Sequence, residues 1–213
     1  LITMAGATGV CVPEVERTVD VDAILDAVNA RTKIVLLTNP GNPTGTRITD
    51  AALDHLMESL PAHVILVIDG AYTEYAEGYD GGLRHARTRP NVLMTRTYSK
   101  IYGLGGLRIG WGYGARDLIE VMTRIRQPFN LSVVQLAAAE AAVRDTAWGA
   151  SCAALNADHR ARLTGALGQL GVACDPSEAN FVLARFGSAD EAKGAENALR
   201  GDEQHFEAQF DIG

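Results

Sequence analysis

Three short runs of unbroken apolar residues punctuate the chain, in Lys33-Ile-Val-Leu-Leu-Thr38, Val64-Ile-Leu-Val-Ile68 and Asn91-Val-Leu-Met-Thr95. They lack the polar alternation of a half-exposed strand, and therefore predict strands at about 33–38, 64–68 and 91–95 that are buried in a parallel sheet. Between the first two the period changes. Leu53, Leu56, Met57 and Leu60 recur at helical spacing over Asp50–Leu60, with Thr49 placed to cap the helix and Pro61 to stop it. Strands alternating with helices are the signature of βαβ units, so the pattern predicts an α/β fold.

The second half reads as more helical. Ile109-Gly-Trp-Gly-Tyr-Gly suits a strand approached closely by another backbone or a ligand, and a helix follows at about 116–126. Ser132 with Gln135 three residues later is a capping-box pattern that opens an alanine-rich helix running to about Asp145. A long helix is expected from about Thr146 to Leu170, with Gly171 as its C-terminal cap. A strand over Asn180–Phe186 and a helix at about 189–200 come next, and from Gly201 onward no period is evident. No internal repeat or low-complexity segment interrupts this order.

Composition narrows the function classes. With 213 residues of which 47% are hydrophobic, the chain can bury a sizeable core. A net charge of -7 with no stripe of Lys or Arg argues against nucleic acid and leaves small molecules as the expected ligands. Cys11, Cys152 and Cys174 are odd in number and widely spaced, which fits neither a disulfide framework nor a zinc site and suits a reducing cytoplasm. The apolar runs are far shorter than the ~20 residues of a membrane helix, and the start lacks the pattern of a signal peptide. No metal site is expected, because His55, His63, His85, His159 and His205 show no ligand spacing.

The chemistry lies at the ends of the strands. Thr95-Arg-Thr-Tyr-Ser-Lys100-Ile-Tyr-Gly-Leu-Gly-Gly-Leu-Arg108 sets a lysine among hydroxyls with an arginine eight residues on. An amine attacks a carbonyl only as the free base, in a confined site, and this is the setting for a Schiff-base lysine. Thr97, Ser99 and Arg108 offer the hydroxyls and the guanidinium fork that hold a phosphate. The first two strands also end on polar residues, in Asn39-Pro-Gly-Asn42-Pro-Thr-Gly and Asp69-Gly-Ala-Tyr72. Open α/β sheets bind ligands beyond their strands' carboxyl ends, so Asn42, Asp69, Tyr72 and Lys100 should share one rim. Asn39-Pro-Gly-Asn-Pro-Thr-Gly is also a plausible turn for backbone reasons alone, and the Thr97 hydroxyl can instead satisfy local backbone.

These three motifs, in this order and spacing, resemble fold-type I pyridoxal-phosphate enzymes, specifically class I/II aminotransferases of the histidinol-phosphate aminotransferase type, from about Leu1 to Leu199. The resemblance implies a three-layer α/β/α large domain with a mostly parallel sheet over residues 1–148, incomplete at its N-terminus, and part of a small α+β C-terminal domain over 149–213. It implies pyridoxal 5'-phosphate as cofactor, bound through Lys100, with Asp69 on the pyridinium nitrogen, Asn42 and Tyr72 on the phenolic oxygen, and Thr97, Ser99 and Arg108 on the phosphate. Lys100, Asp69 and Tyr72 are the implied catalytic residues. The implied partners are an amino-acid or amino-phosphate donor, a 2-oxo acid acceptor and a second copy in a homodimer, in the cytoplasmic pathway of histidine biosynthesis.

Arg124, Arg126 and Asn130 flank a segment resembling the family's substrate-side loop, although arginines at a helix C-terminus also have a dipole reason to be there. Trp111, Tyr75 and Tyr102 read as core or interface aromatics. Family members carry a phosphate-binding helix start and a ring-stacking aromatic ahead of the position of Leu1, and a carboxylate-clamping arginine beyond the matched region. Two alternatives follow: a related fold-type I enzyme such as a threonine-phosphate decarboxylase, and a truncated chain that holds cofactor but turns over poorly.

Overall fold

A computed structural model describes residues 2–206. The first helix, α1 (Val21–Ala27), is capped by the Asp20 carboxylate, which accepts the Ala23 N–H. Strand β1 (Ile34–Thr38) leads through α2 (Asp50–Ser59) to β2 (Ile65–Asp69), and β2 leads through α3 (Leu83–Thr88) to β3 (Val92–Thr97). The expected cap of α2 is present, with Thr49 Oγ1 accepting the Ala52 N–H at 3.1 Å. Both strand pairs are parallel, and Thr38, Asp69 and Thr95 stand level across them. Strand β4 (Gly110–Gly114) then adds antiparallel to β3, giving the order β1-β2-β3-β4. This is the expected α/β architecture with a mostly parallel sheet.

The core forms on one face of that sheet. Leu37, Ile68 and Met94 share one row of the sheet and Leu66 with Val92 the next, and they pack against Leu53, Leu56 and Met57 of α2. Each such fully buried side chain contributes about 1.5–3 kcal/mol. On the opposite face Ile34 and Leu36 are 54% and 61% exposed. The unbroken apolar run in β1 predicts burial on both faces, yet β1 is exposed on that second face, whereas Leu93 of β3 is buried.

Beyond β4 the chain is helical. Helix α4 (Arg116–Ile125) precedes α5 (Val133–Arg144), whose capping box is complete: Ser132 Oγ accepts the Gln135 N–H and the Gln135 side chain accepts the Ser132 N–H. Helix α6 (Thr146–Gln169) ends where Gly171, at φ +77°, takes the left-handed conformation expected of the cap. It runs unbroken through the expected division between 148 and 149.

Two expectations need correction. The strand anticipated over Asn180–Phe186 shrinks to β6 (Ala184–Arg185), paired only with β5 (Ala173–Cys174), because the residues before it turn back toward the large sheet. The final helix, α7 (Ala189–Phe206), continues past Gly201, where the sequence shows no period. Glu203 and Gln204 are good helix formers, and a single glycine costs only about 1 kcal/mol. The part of the aperiodic tail at 207–213 lies outside the described residues.

Candidate active site

Because β1, β2 and β3 are parallel, the loops that follow Thr38, Asp69 and Thr97 leave the same edge of the sheet. The ladder continues briefly into them: the Asn39 N–H donates to the Asp69 carbonyl at 3.0 Å and the Gly70 N–H to the Thr95 carbonyl at 2.9 Å. Asn42, Asp69, Tyr72, Ser99, Lys100 and Arg108 are thereby carried on three adjoining loops.

The first loop is built around Asn39. Its buried amide donates to the Tyr79 hydroxyl at 2.8 Å and its Oδ1 accepts the Ile48 N–H at 3.0 Å, fixing where the turn starts and ends. At the tip, Asn42 is exposed, and its Nδ2 donates to the Tyr72 hydroxyl at 2.9 Å. Tyr72 is only 4% exposed. The Lys100 Nζ lies 5.1 Å from the centroid of the Tyr72 ring, within reach of its π face.

Asp69 ends β2 with its side chain exposed, and Oδ1 accepts the Ala71 N–H at 3.1 Å. That single bond aligns the carboxylate and leaves its other oxygen open. Arg108 sits in the left-handed region at φ +53°, a conformation costly for any residue but glycine and concentrated at functional sites. Its Nη1 donates to the Gly105 carbonyl at 2.9 Å and reaches Ser99 Oγ at 3.5 Å, so the guanidinium folds back over the serine. Among the described residues, Lys100, Arg108 and Asp69 form no ion pair.

Thr97 differs from the other phosphate candidates. Its Oγ1 accepts the Ser99 N–H at 3.0 Å and donates to the Ile109 carbonyl at 3.4 Å, so the hydroxyl shapes the turn that presents Ser99. Arg124, Arg126 and Asn130 are exposed on and after α4, and no side-chain hydrogen bond or ion pair ties them to these loops among the described residues.

A wall of the site comes from the segment after β5. Ser177 Oγ donates to the Phe181 carbonyl at 2.6 Å and accepts the Ala179 N–H at 3.1 Å. The Glu178 N–H donates to the Gly45 carbonyl at 2.8 Å, and Arg47 Nε donates to the Glu178 carboxylate at 2.7 Å. From below, Arg160 of α6 donates to the Ala179 carbonyl at 2.7 Å. Asp175 is clamped by Arg17, which holds its carboxyl below the usual aspartate range. The result is that Phe181 meets the Tyr72 ring edge-on.

The model of the family described as aminotransferase class I and II matches residues 1–205. The chain belongs to the aminotransferase class I and II family. It is 60% identical over 200 residues to the histidinol-phosphate aminotransferase of Ruegeria pomeroyi, which covers 94% of this chain and 55% of that relative. It is 55% identical over 196 residues to the enzyme of the same name from Roseobacter denitrificans, covering 92% of this chain and 55% of that relative. The crystal structure of histidinol-phosphate aminotransferase from Sinorhizobium meliloti in complex with pyridoxal-5'-phosphate superposes with a TM-score of 0.82 at 32% identity, covering 88% of this chain and 51% of that one. The chain thus spans about half the length of the curated relatives it matches.

Sequence reasoning missed Phe181, which packs on the Tyr72 ring, and Asn39, whose hydrogen bonds shape the turn that carries Asn42. Asn39 stands in the motif that marks the loop, and its buried position after a strand was the available signal. Phe181 carried none, because its place depends on how two distant turns dock.

Proposed function

We propose that this chain is the cofactor-holding part of a pyridoxal-phosphate-dependent aminotransferase of the histidinol-phosphate:2-oxoglutarate type, acting in the cytoplasm as a homodimer. The observation that carries the reading is that Lys100, Arg108 and Asp69, which form no ion pair among the described residues, lie on the loops at the same sheet edge as the Asn42–Tyr72 hydrogen bond, with the Lys100 Nζ against the Tyr72 ring. One anionic, one carbonyl and one cationic function on a single small molecule answer those three groups, which is the donor set that pyridoxal phosphate fits. The named relatives support the same reading.

When bound, the cofactor supplies a carbonyl that takes up an amine and a ring that accepts an electron pair. The residues supply the rest. Lys100 would hold the cofactor through its carbonyl carbon, and its Nζ, when free, would be the base that carries a proton at the substrate's Cα. Asp69, whose second carboxylate oxygen is open at the strand end, would hold the ring nitrogen and keep it positive. Asn42 and Tyr72, already bonded to one another, would hold the cofactor's phenolic oxygen and stabilise its negative charge. Ser99 and Arg108 take the phosphate, with Thr97 setting the serine's position.

Residues 1–148 act in this reading as the cofactor domain and 149–213 as part of the smaller domain, with 175–181 closing over the site. The test is a coupled glutamate-production assay with histidinol phosphate as donor and 2-oxoglutarate as acceptor. Transfer that disappears in Lys100→Ala supports the proposal. Transfer retained by that variant overturns it.

A further inference from the structure

Arg96 is an arginine inside β3 whose side chain is only 10% exposed. Its Nη1 donates to Glu74 Oε1 at 2.9 Å and its Nη2 to the Asp80 carbonyl at 2.8 Å. Space is made for it by two glycines. A Cβ on Gly81 would come within 2.6 Å of Arg96 Nη2, and one on Gly70 within 3.1 Å of Arg96 Nε. Gly81 also has φ +68°, so a side chain there is excluded by conformation as well as by room.

This arrangement is a costly way to hold a loop. Arg96 Nε, Glu74 Oε2 and Thr73 Oγ1 are buried with no hydrogen-bond partner among the described residues, and burial pushes the Glu74 carboxyl above its usual range despite the guanidinium beside it. Buried ion pairs are commonly no more stabilising than apolar residues of the same volume. What the pair does achieve is geometric. Glu74 lies in the single turn Thr73–Tyr75 directly after Tyr72, and Asp80 lies at the far end of the same loop. One guanidinium therefore ties both ends of the loop bearing Tyr72 to the strand that runs on to Ser99 and Lys100.

We infer that Glu74 and Arg96 are positioning residues that set the Tyr72 hydroxyl against Lys100 and Asn42 for cofactor capture, a role that rests on the function proposed above. Neither residue touches the cofactor in this account. They act through Tyr72, whose ring centroid lies 5.1 Å from the Lys100 Nζ and whose hydroxyl accepts from the Asn42 amide at 2.9 Å.

The experiment exchanges both charges together, Glu74→Leu with Arg96→Met, because removing a buried pair as a unit spares the fold where removing one partner does not. Pyridoxal phosphate is added at limiting concentration to the 213-residue chain, borohydride fixes it, and peptide mass spectrometry follows the rate at which Lys100 is labelled. The same measurement is made in Tyr72→Phe and in the triple variant, with thermal melts alongside. In a chain that still melts cooperatively, labelling of Lys100 is expected to slow about tenfold, and to slow no further when the exchange is made in the Tyr72→Phe background. Wild-type labelling in the folded double variant overturns the inference. So does an equal slowing with and without the Tyr72 hydroxyl. Should the double exchange fail to fold, Arg96→Lys keeps the buried charges but cannot reach Glu74 and the Asp80 carbonyl together, and the same two outcomes decide. Failure of the parent proposal looks different, since the wild-type chain would then not be labelled at Lys100.

Discussion

Phe181 meets Tyr72 edge-on, with ring centroids 5.1 Å apart and ring planes at 90°. The contact joins the segment beyond α6 to the loop that follows β2, and it backs the ring whose hydroxyl receives the Asn42 amide. Aromatic pairs of this geometry contribute about 0.5–1.5 kcal/mol beyond their buried area. Phe181→Ala is therefore expected to weaken pyridoxal phosphate binding by about two- to tenfold, measured by absorbance titration, while Phe181→Leu recovers part of the loss. Unchanged affinity in the alanine variant would separate Phe181 from the site.

The seat of that segment depends on Gly45. It has φ +73°, and a Cβ there would come within 2.2 Å of Ser177 Oγ and 3.2 Å of the Ser177 Cα. Gly78, at φ +72°, faces open space. Both alanine substitutions bear the left-handed strain of about 1–2 kcal/mol, but only Gly45→Ala also displaces residues 175–181. Its melting temperature should fall further than that of Gly78→Ala, and proteases should cut near Ser177 sooner. Equal losses would mean that the segment is not seated on this glycine.

The Arg17–Asp175 clamp has a pH signature. Arg17 holds the folded-state value of Asp175 below the ordinary 3.8, so the contribution is full above the unfolded value and is lost as pH falls through the folded one. The gap in melting temperature between the wild type and Asp175→Asn should stay constant from neutral pH to about 5 and close below about 4. A gap that persists unchanged into stronger acid would show that the carboxylate's charge is not what the clamp uses.

Much of this fold was legible in the sequence because the signals are local. The three apolar runs, the Thr49 cap, the Ser132–Gln135 capping box and the Gly171 cap each need only a few neighbouring residues, and the structure has all of them. The rim of Asn42, Asp69, Tyr72 and Lys100 was legible for a related reason, since parallel strands send their exits to one edge. Contacts between distant turns were not. Nothing local to Phe181, Glu74 or Arg96 says what each will meet, and the Asn180–Phe186 run shows strand character that docking against Gly45 and Tyr72 overrides. The exposure of Ile34 and Leu36 likewise depends on what covers the sheet, which a run of apolar residues does not specify.

Asp69 separates binding from chemistry. Its carboxylate is held by a single backbone N–H, and an asparagine of the same shape can keep that bond through its Oδ1. Asp69→Asn should retain the yellow colour and the labelling of Lys100 but slow solvent deuterium exchange at the Cα of glutamate by about a hundredfold or more. An unimpaired exchange rate would reduce Asp69 to a turn-forming residue.

Lys100 is proposed here as the residue to which the cofactor binds. Pyridoxal phosphate is added to the purified chain, borohydride reduces the product, and digestion with mass spectrometry locates the adduct. One dominant adduct is expected, on the peptide containing Lys100, with visible absorbance lost in a Lys100→Ala variant that remains folded. A dominant adduct on Lys33 or Lys193, or undiminished colour in Lys100→Ala, would contradict it.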